Sequence, residues 1–137
     1  MEMSKETIVK RLEARGIYPT PQRVKIAEVM LVKQQHMSAD KVLQAVNQNE
    51  AVASKATIYN TLGLFAKKGL VREVIVDPSK VFYDSNTSEH HHFYNVDSGE
   101  LSDIGPGELL IEQLPDMPEA TVMDGVDVII RVREKTA

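Results

Sequence analysis

Asp84 to Asp103 reads D-S-N-T-S-E-H-H-H-F-Y-N-V-D-S-G-E-L-S-D, and it carries three of the chain's four histidines side by side, His90, His91 and His92. Carboxylates flank them at Asp84, Glu89 and Asp103. Imidazole suits iron, nickel, copper and zinc, while carboxylates suit Mn(II) and other harder ions. If the segment after Glu89 is a strand, alternation sends His90 and His92 to one face and His91 to the other. The resulting H-x-H pair stands about 6–7 Å apart along the strand, near enough to share one ion. The plainer reading is a histidine-rich exposed turn or the remnant of a tag. The internal position, the following Phe93-Tyr94 and the alternating apolar residues favour native sequence.

The elements that must hold these side chains come from a chain of 137 residues, enough for one domain or two small ones. Apolar content of 42% and charged content of 26% are those of a folded globular protein. There is no cysteine, which removes disulfides, thiolate zinc sites and cysteine nucleophiles together. No apolar run approaches the ~18 residues of a membrane span. The start, M-E-M-S-K-E, has no apolar core behind its charges, so no secretory signal is expected and the location reads as cytoplasmic. The net charge of −4 hides an uneven distribution: residues 1–83 hold 13 Lys+Arg against 8 Asp+Glu, and residues 84–137 hold 3 against 12. A basic front half can attract phosphate that the acidic back half would repel.

Ser4 reads as the N-cap of a helix over 5–15, ended by Gly16. Thr20 and Pro21 open a second over 21–34, Pro being suited to the first helical position. Ser38 caps a third over 39–48, and Ser54 a fourth that ends at Gly69, with Ile58, Leu62, Phe65 and Ala66 at helical spacing. The period then changes: Leu70–Val76, the turn Asp77-Pro78-Ser79 and Lys80–Asp84 form a hairpin. Helices followed by a hairpin make the winged helix-turn-helix plan, in which the last helix enters the DNA major groove. Asn86-Thr87-Ser88 is a polar linker. The organisation is therefore a DNA-binding domain over 1–84, a hinge at 85–88 and a second domain over 89–137. In the latter, 91–97 and 100–104 read as a hairpin, 106–114 as a helix, and Glu119–Val122 with Val126–Arg133 as strands around Asp124-Gly125. So small a domain needs a second copy to complete its core. The fold class is mixed α/β (α+β): an N-terminal winged helix plus a small C-terminal α/β dimerisation domain.

Candidate DNA contacts fall in two sets. Ser54, Lys55, Thr57, Tyr59 and Asn60 lie near the start of the fourth helix, whose free N–H groups favour phosphate. Asn pairs well with adenine, and Thr or Tyr can touch thymine methyls. Arg15, Tyr18, Thr20, Gln22 and Arg23 form the second set. The competing reading has Tyr59 covering its own helix's core and Arg23 as a solvated charge.

Together the Thr20-Pro21-Gln22-Arg23 helix start, His36-Met37-Ser38-Ala39, the A-T-I-Y of Ala56 to Tyr59, and the D-x5-H-x-H of Asp84, His90 and His92 resemble the ferric uptake regulator family over nearly the whole chain. The resemblance implies a homodimer that binds double-stranded operator DNA through a winged helix, with a regulatory site coupling a divalent ion to DNA binding. It implies His36, Asp84, His90, His92 and Asp103 as ligands for Fe(II) or Mn(II), with Zn(II) as a substitute; this is the set of the peroxide-sensing (PerR) branch. Asn95 and Ser98 stand where many members carry C-x-x-C, so no structural zinc is expected. The complete H-H-H resembles the iron response regulator (Irr) branch, which implies haem at His90, His91 and His92 as the alternative signal. Imidazole is a competent axial ligand, and the Cys-Pro haem motif of some members is missing.

The function expected is an iron-responsive transcriptional regulator, not an enzyme. Two other classes use the same histidines. A small metal-dependent hydrolase would need an open coordination position and a general base, and a metal-buffering protein would need neither.

Overall fold

The computed structural model describes residues 3–136; Met1 and Glu2, part of the stretch read for a secretory signal, lie outside them, as does Ala137. The protein divides into two compact units, Met1–Thr87 and Ser88–Ala137.

The first unit holds α1 (Lys5–Ala14), α2 (Pro21–Leu31), β1 (His36–Ser38), α3 (Ala39–Val46), α4 (Lys55–Lys67), β2 (Arg72–Asp77) and β3 (Lys80–Asp84). Each helix starts where a hydroxyl residue can accept an orphan amide. Ser4, Thr20, Ser38 and Ser54 take the N–H of Thr7, Arg23, Lys41 and Thr57. One apolar stripe from each helix meets in the core, with Ile8, Leu12, Ile26, Met30, Val42, Ile58, Leu62 and Phe65 wholly buried. Gly16 and Gly69 follow α1 and α4 at φ +71° and +76°, the left-handed turn that stops a helix.

Two features of this unit were not expected from sequence. The second helix stops at Leu31, short of residue 34, because the Gln35 side chain folds back onto its last turn and donates to Val29 O (2.8 Å) and Met30 O (3.2 Å). The His36-Met37-Ser38 segment is a strand, and the three-stranded sheet runs β1-β3-β2, all antiparallel. Asp84 therefore lies between His36 on β1 and Arg72 on β2.

The second unit is a three-stranded sheet with β4 (His92–Asn95) in the middle, β5 (Leu101–Asp103) antiparallel on one side and β6 (Ile129–Val132) parallel on the other. The helix expected over 106–114 does not form. Gly105 and Gly107 flank Pro106, Gly107 takes φ +78°, and Leu110, Ile111 and Leu114 are exposed, so nothing in this unit rewards a helix there. The hairpin expected around Asp124-Gly125 is replaced. Glu119–Val122 is not a strand, and β6 finds its partner in β4, with His92 N–H donating to Val128 O and Val96 N–H to Val132 O.

Asn95, one of the two positions at which the resemblance points to C-x-x-C in many members, organises the turn by hydrogen bonds. Its Oδ1 accepts the amides of Asp97 (2.9 Å) and Ser98 (3.1 Å), and its Nδ2 donates to Glu134 Oε1 (2.8 Å). Glu134 N–H in turn donates to Asp97 Oδ2 (2.8 Å), fastening the end of β6 to the turn. Asn95→Ala strips this hub and is expected to cost about 1–3 kcal/mol of the sheet's local stability. Amide exchange at Asp97, Ser98 and Glu134 should quicken, and unchanged exchange would count against the hub.

Candidate metal centre

Strand register brings the second unit's ligands together. His92 and Asp103 are cross-strand partners on β4 and β5. His92 Nε2 lies 3.3 Å from Asp103 Oδ1, and His90 Nε2 lies 3.5 Å from the same oxygen. The two imidazole rings stand 4.5 Å apart. One ligand atom from each of His90, His92 and Asp103 falls within 4.8 Å of the others. His92 is wholly buried and Asp103 half-exposed.

Hydrogen bonds fix which nitrogens are available. His90 Nδ1 lies 2.7 Å from Ser88 O; a carbonyl only accepts, so Nδ1 carries the proton. In neutral His90 the lone pair is then on Nε2, facing a carboxylate oxygen. Two acceptors facing each other call for a cation between them, a proton or a metal ion. An imidazole whose far nitrogen is held by a carbonyl is also how proteins orient a metal ligand. The donor set fits a mixed N/O site for a first-row divalent ion.

His91 is turned to another task. Its Nδ1 accepts Val128 N–H at 3.0 Å, which puts the proton on Nε2. While that bond lasts, neither nitrogen of His91 offers a lone pair to iron. Sequence set His91 beside its neighbours as an alternative haem ligand; here its ring holds the Val128 amide just ahead of β6.

In the first unit, His36 and Asp84 are register partners on β1 and β3. Asp84 is buried and its Oδ1 accepts Asn86 N–H at 2.8 Å. The His36 ring meets the edge of Phe82, with centroids 6.4 Å apart. His36 is thus a strand residue, the first of β1.

The DNA candidates divide by what they touch. Tyr18 is exposed, as are Lys55, Tyr59 and Asn60 at the start of α4. Lys55 Nζ sits 5.7 Å from the Tyr59 ring centroid, and Tyr59 OH donates to Asp40 Oδ1 at 3.4 Å. Thr20 and Ser54 serve as caps, and the Ser54 hydroxyl also donates to Thr57 Oγ1 at 3.0 Å. Arg23 Nη1 donates to Tyr18 O at 3.0 Å, bracing the loop that presents Tyr18. A Cβ at Gly69 would stand 3.0 Å from Arg15 Nη1, so Arg15 reaches the C-terminal end of α4. Beneath α4, burial, then Glu73 and Tyr59, push the Tyr83 hydroxyl above its ordinary range. At the wing tip, hydrogen bonds from Ser79 hold Asp77 below the usual carboxylate range. Sequence gave no signal for Ser88, Gln35 or Ser85, whose contacts are with residues it did not link to them.

A winged-helix unit followed by a small sheet bearing an imidazole–carboxylate cluster defines a ligand-responsive regulator of the DNA-binding kind. Residues 14–122 match the model of the ferric uptake regulator family. The peroxide-responsive repressor PerR of Staphylococcus aureus (strain Mu50) is 33% identical over 104 residues, 76% of this chain and 70% of that protein. The ferric uptake regulator of Pseudomonas aeruginosa, solved with manganese, superposes with a TM-score of 0.68 at 23% identity, covering 98% of this chain and 100% of that one. That of Francisella tularensis, solved with iron, gives 0.68 at 22% identity, covering 88% and 93%. The chain belongs to the ferric uptake regulator family, a family of transcriptional regulators, on its PerR side. Nothing among these likenesses supports the hydrolase reading. Among the described residues no helix is long and apolar enough to cross a membrane.

Proposed function

We propose that the protein is a homodimeric repressor whose affinity for operator DNA is set by Fe(II) or Mn(II), bound by His90, His92 and Asp103 together with His36 and Asp84. The convergence of His90, His92 and Asp103 carries this reading. The metals are those found with the P. aeruginosa and F. tularensis relatives. A bound ion would supply a positive centre; the protein's own residues supply two oriented imidazoles and carboxylates without thiolate. An ion bound more tightly in one arrangement of the protein than in another would favour that arrangement, which is what a switch requires. Zn(II) substitutes on the same donors. Haem is the weaker alternative, because His91 is engaged by Val128.

The second unit supports the dimer. Leu110, Leu114, Val122, Met123, Ile130 and Val132 are exposed on a unit whose buried residues number only His92, Tyr94, Leu101 and Ile104 among those described. An apolar surface of that kind on so small a sheet is covered by a partner copy.

Anaerobic titration of the apo-protein with Mn(II) or Fe(II), read by the anisotropy of a labelled duplex, tests the switch. Operator affinity should rise with metal and fall steeply with log salt. Equal affinity with and without either ion rejects the proposal, and a Soret band with an affinity change on adding haem alone would move the signal to haem. For the DNA face, Asn60→Ala is expected to lower specific affinity by about 1–3 kcal/mol while leaving non-specific binding nearly unchanged. A competition assay with operator and scrambled duplexes reads both terms.

A further inference from the structure

We infer that Gln35 and Ser85 are positioning residues that carry metal occupancy at His36 and Asp84 into the helices of the winged unit. The inference rests on the metal-responsive reading above. Gln35 immediately precedes His36, and Ser85 immediately follows Asp84. The two neighbours are tied to each other as closely as the proposed ligands are. Ser85 N–H donates to Gln35 O (2.9 Å), and Gln35 N–H donates to Ser85 Oγ (3.0 Å). The Ser85 hydroxyl donates in turn to Lys33 O (3.0 Å), with Gln35 O at 3.3 Å.

A strand of three residues at a sheet edge holds its register weakly by itself. These bonds extend the β1–β3 ladder by one position and fix the loop that leads into it. The Gln35 side chain then reaches the other way, donating to Val29 O and Met30 O in the last turn of α2. Those carbonyls lack helical partners, so the glutamine amide caps the C-terminal end of α2. One residue is therefore bonded through its backbone to the β3 end that carries Asp84, and through its side chain to the end of α2. Met30 and Leu31 of that same turn are buried in the core that also holds Ile58, Leu62 and Phe65 of α4. A shift of His36 or Asp84 on metal binding must move the end of α2 or break these bonds, and the former is the path toward α4.

The test compares full-length wild type, Gln35→Met, Gln35→Lys and Ser85→Ala. Gln35→Met keeps the length and removes the donor; Gln35→Lys restores a donor toward the helix carbonyls. Mn(II) affinity of the free protein is measured by chelator competition, and duplex affinity by anisotropy with and without Mn(II). Gln35→Met and Ser85→Ala should keep Mn(II) affinity within a few-fold and apo DNA affinity near wild type. The Mn(II)-induced gain in DNA affinity should fall about tenfold. Gln35→Lys should recover most of the gain, a rescue that a merely destabilised fold would not give. Full wild-type gain in both Gln35→Met and Ser85→Ala overturns the inference while leaving the metal switch intact. A wild-type protein with no Mn(II)-dependent gain overturns the switch, and this inference with it. Should Gln35→Met melt early, Ser85→Ala and Gln35→Lys still decide the matter by the same ratio.

Discussion

Alanine at His92 is expected to lower Mn(II) or Fe(II) affinity by about 100-fold or more, since removing a direct ligand costs at least what loss of an orienting partner does. His92 is the centre of the cluster: it sits on the middle strand, faces Asp103 across the ladder, and its ring lies tilted against that of His90 with centroids 4.5 Å apart. Removing it leaves His90 and Asp103 as the second unit's only members of the cluster, and metal should then no longer raise operator affinity. Because His92 is wholly buried, its loss also opens a cavity, so His90→Ala is the companion variant. His90 is less enclosed, its ring being held by Ser88 O, and the same loss of metal affinity should appear with less disturbance of folding. His91→Ala makes the contrast. Metal affinity should stay within about threefold, well inside one factor of ten or 1.4 kcal/mol, while the Val128 amide loses its acceptor and exchanges faster. Equal losses of metal binding in the His91 and His92 variants would refute the assignment of separate tasks to the two rings.

The second large effect is on the scaffold. Phe65→Ala should destabilise the winged unit by about 3–5 kcal/mol, the range for truncating a buried Phe. Phe65 is fully buried in the core that seats α4, alongside Ile58 and Leu62. Against a domain stability of ~5–15 kcal/mol this is a large fraction, enough to bring the urea midpoint down sharply. A loss below ~1 kcal/mol by urea titration would mean that α4 is not anchored through that ring. The consequence for function follows from geometry. On the proposed DNA face, Tyr59 and Asn60 would be held in place only if the buried face of α4 keeps the helix at a fixed rotation, so a loosened core should also weaken specific binding more than non-specific binding.

Several parts of this molecule were legible in the residues because their causes are local. A cap joins a hydroxyl to an amide three residues on, as at Ser4, Thr20, Ser38 and Ser54. A helix declares itself by its own apolar period, and the wing by the turn residues Asp77-Pro78-Ser79. The H-x-H pairing of His90 with His92 is likewise a property of one short segment, and the rings do lie together. Segments without such local causes were misread. Leu110, Ile111 and Leu114 have a helical look but find no surface to cover within their unit. The strand at Ile129–Val132 was expected to pair with its sequence neighbour and instead pairs with β4.

By itself the sequence determined the four helices of the first unit, their starts, the wing, the presence of a histidine–carboxylate donor set and, by resemblance, the family. Tertiary structure alone decided that His36 lies on a strand beside Asp84, that His91 Nδ1 accepts the Val128 amide just ahead of β6, and that Gln35 caps α2. The physical reason is the range of the interactions. A cap or a helical stripe is selected by bonds within one or two turns of the backbone, whereas a strand's partner and an imidazole's tautomer are selected by groups distant in sequence that only the assembled fold brings near.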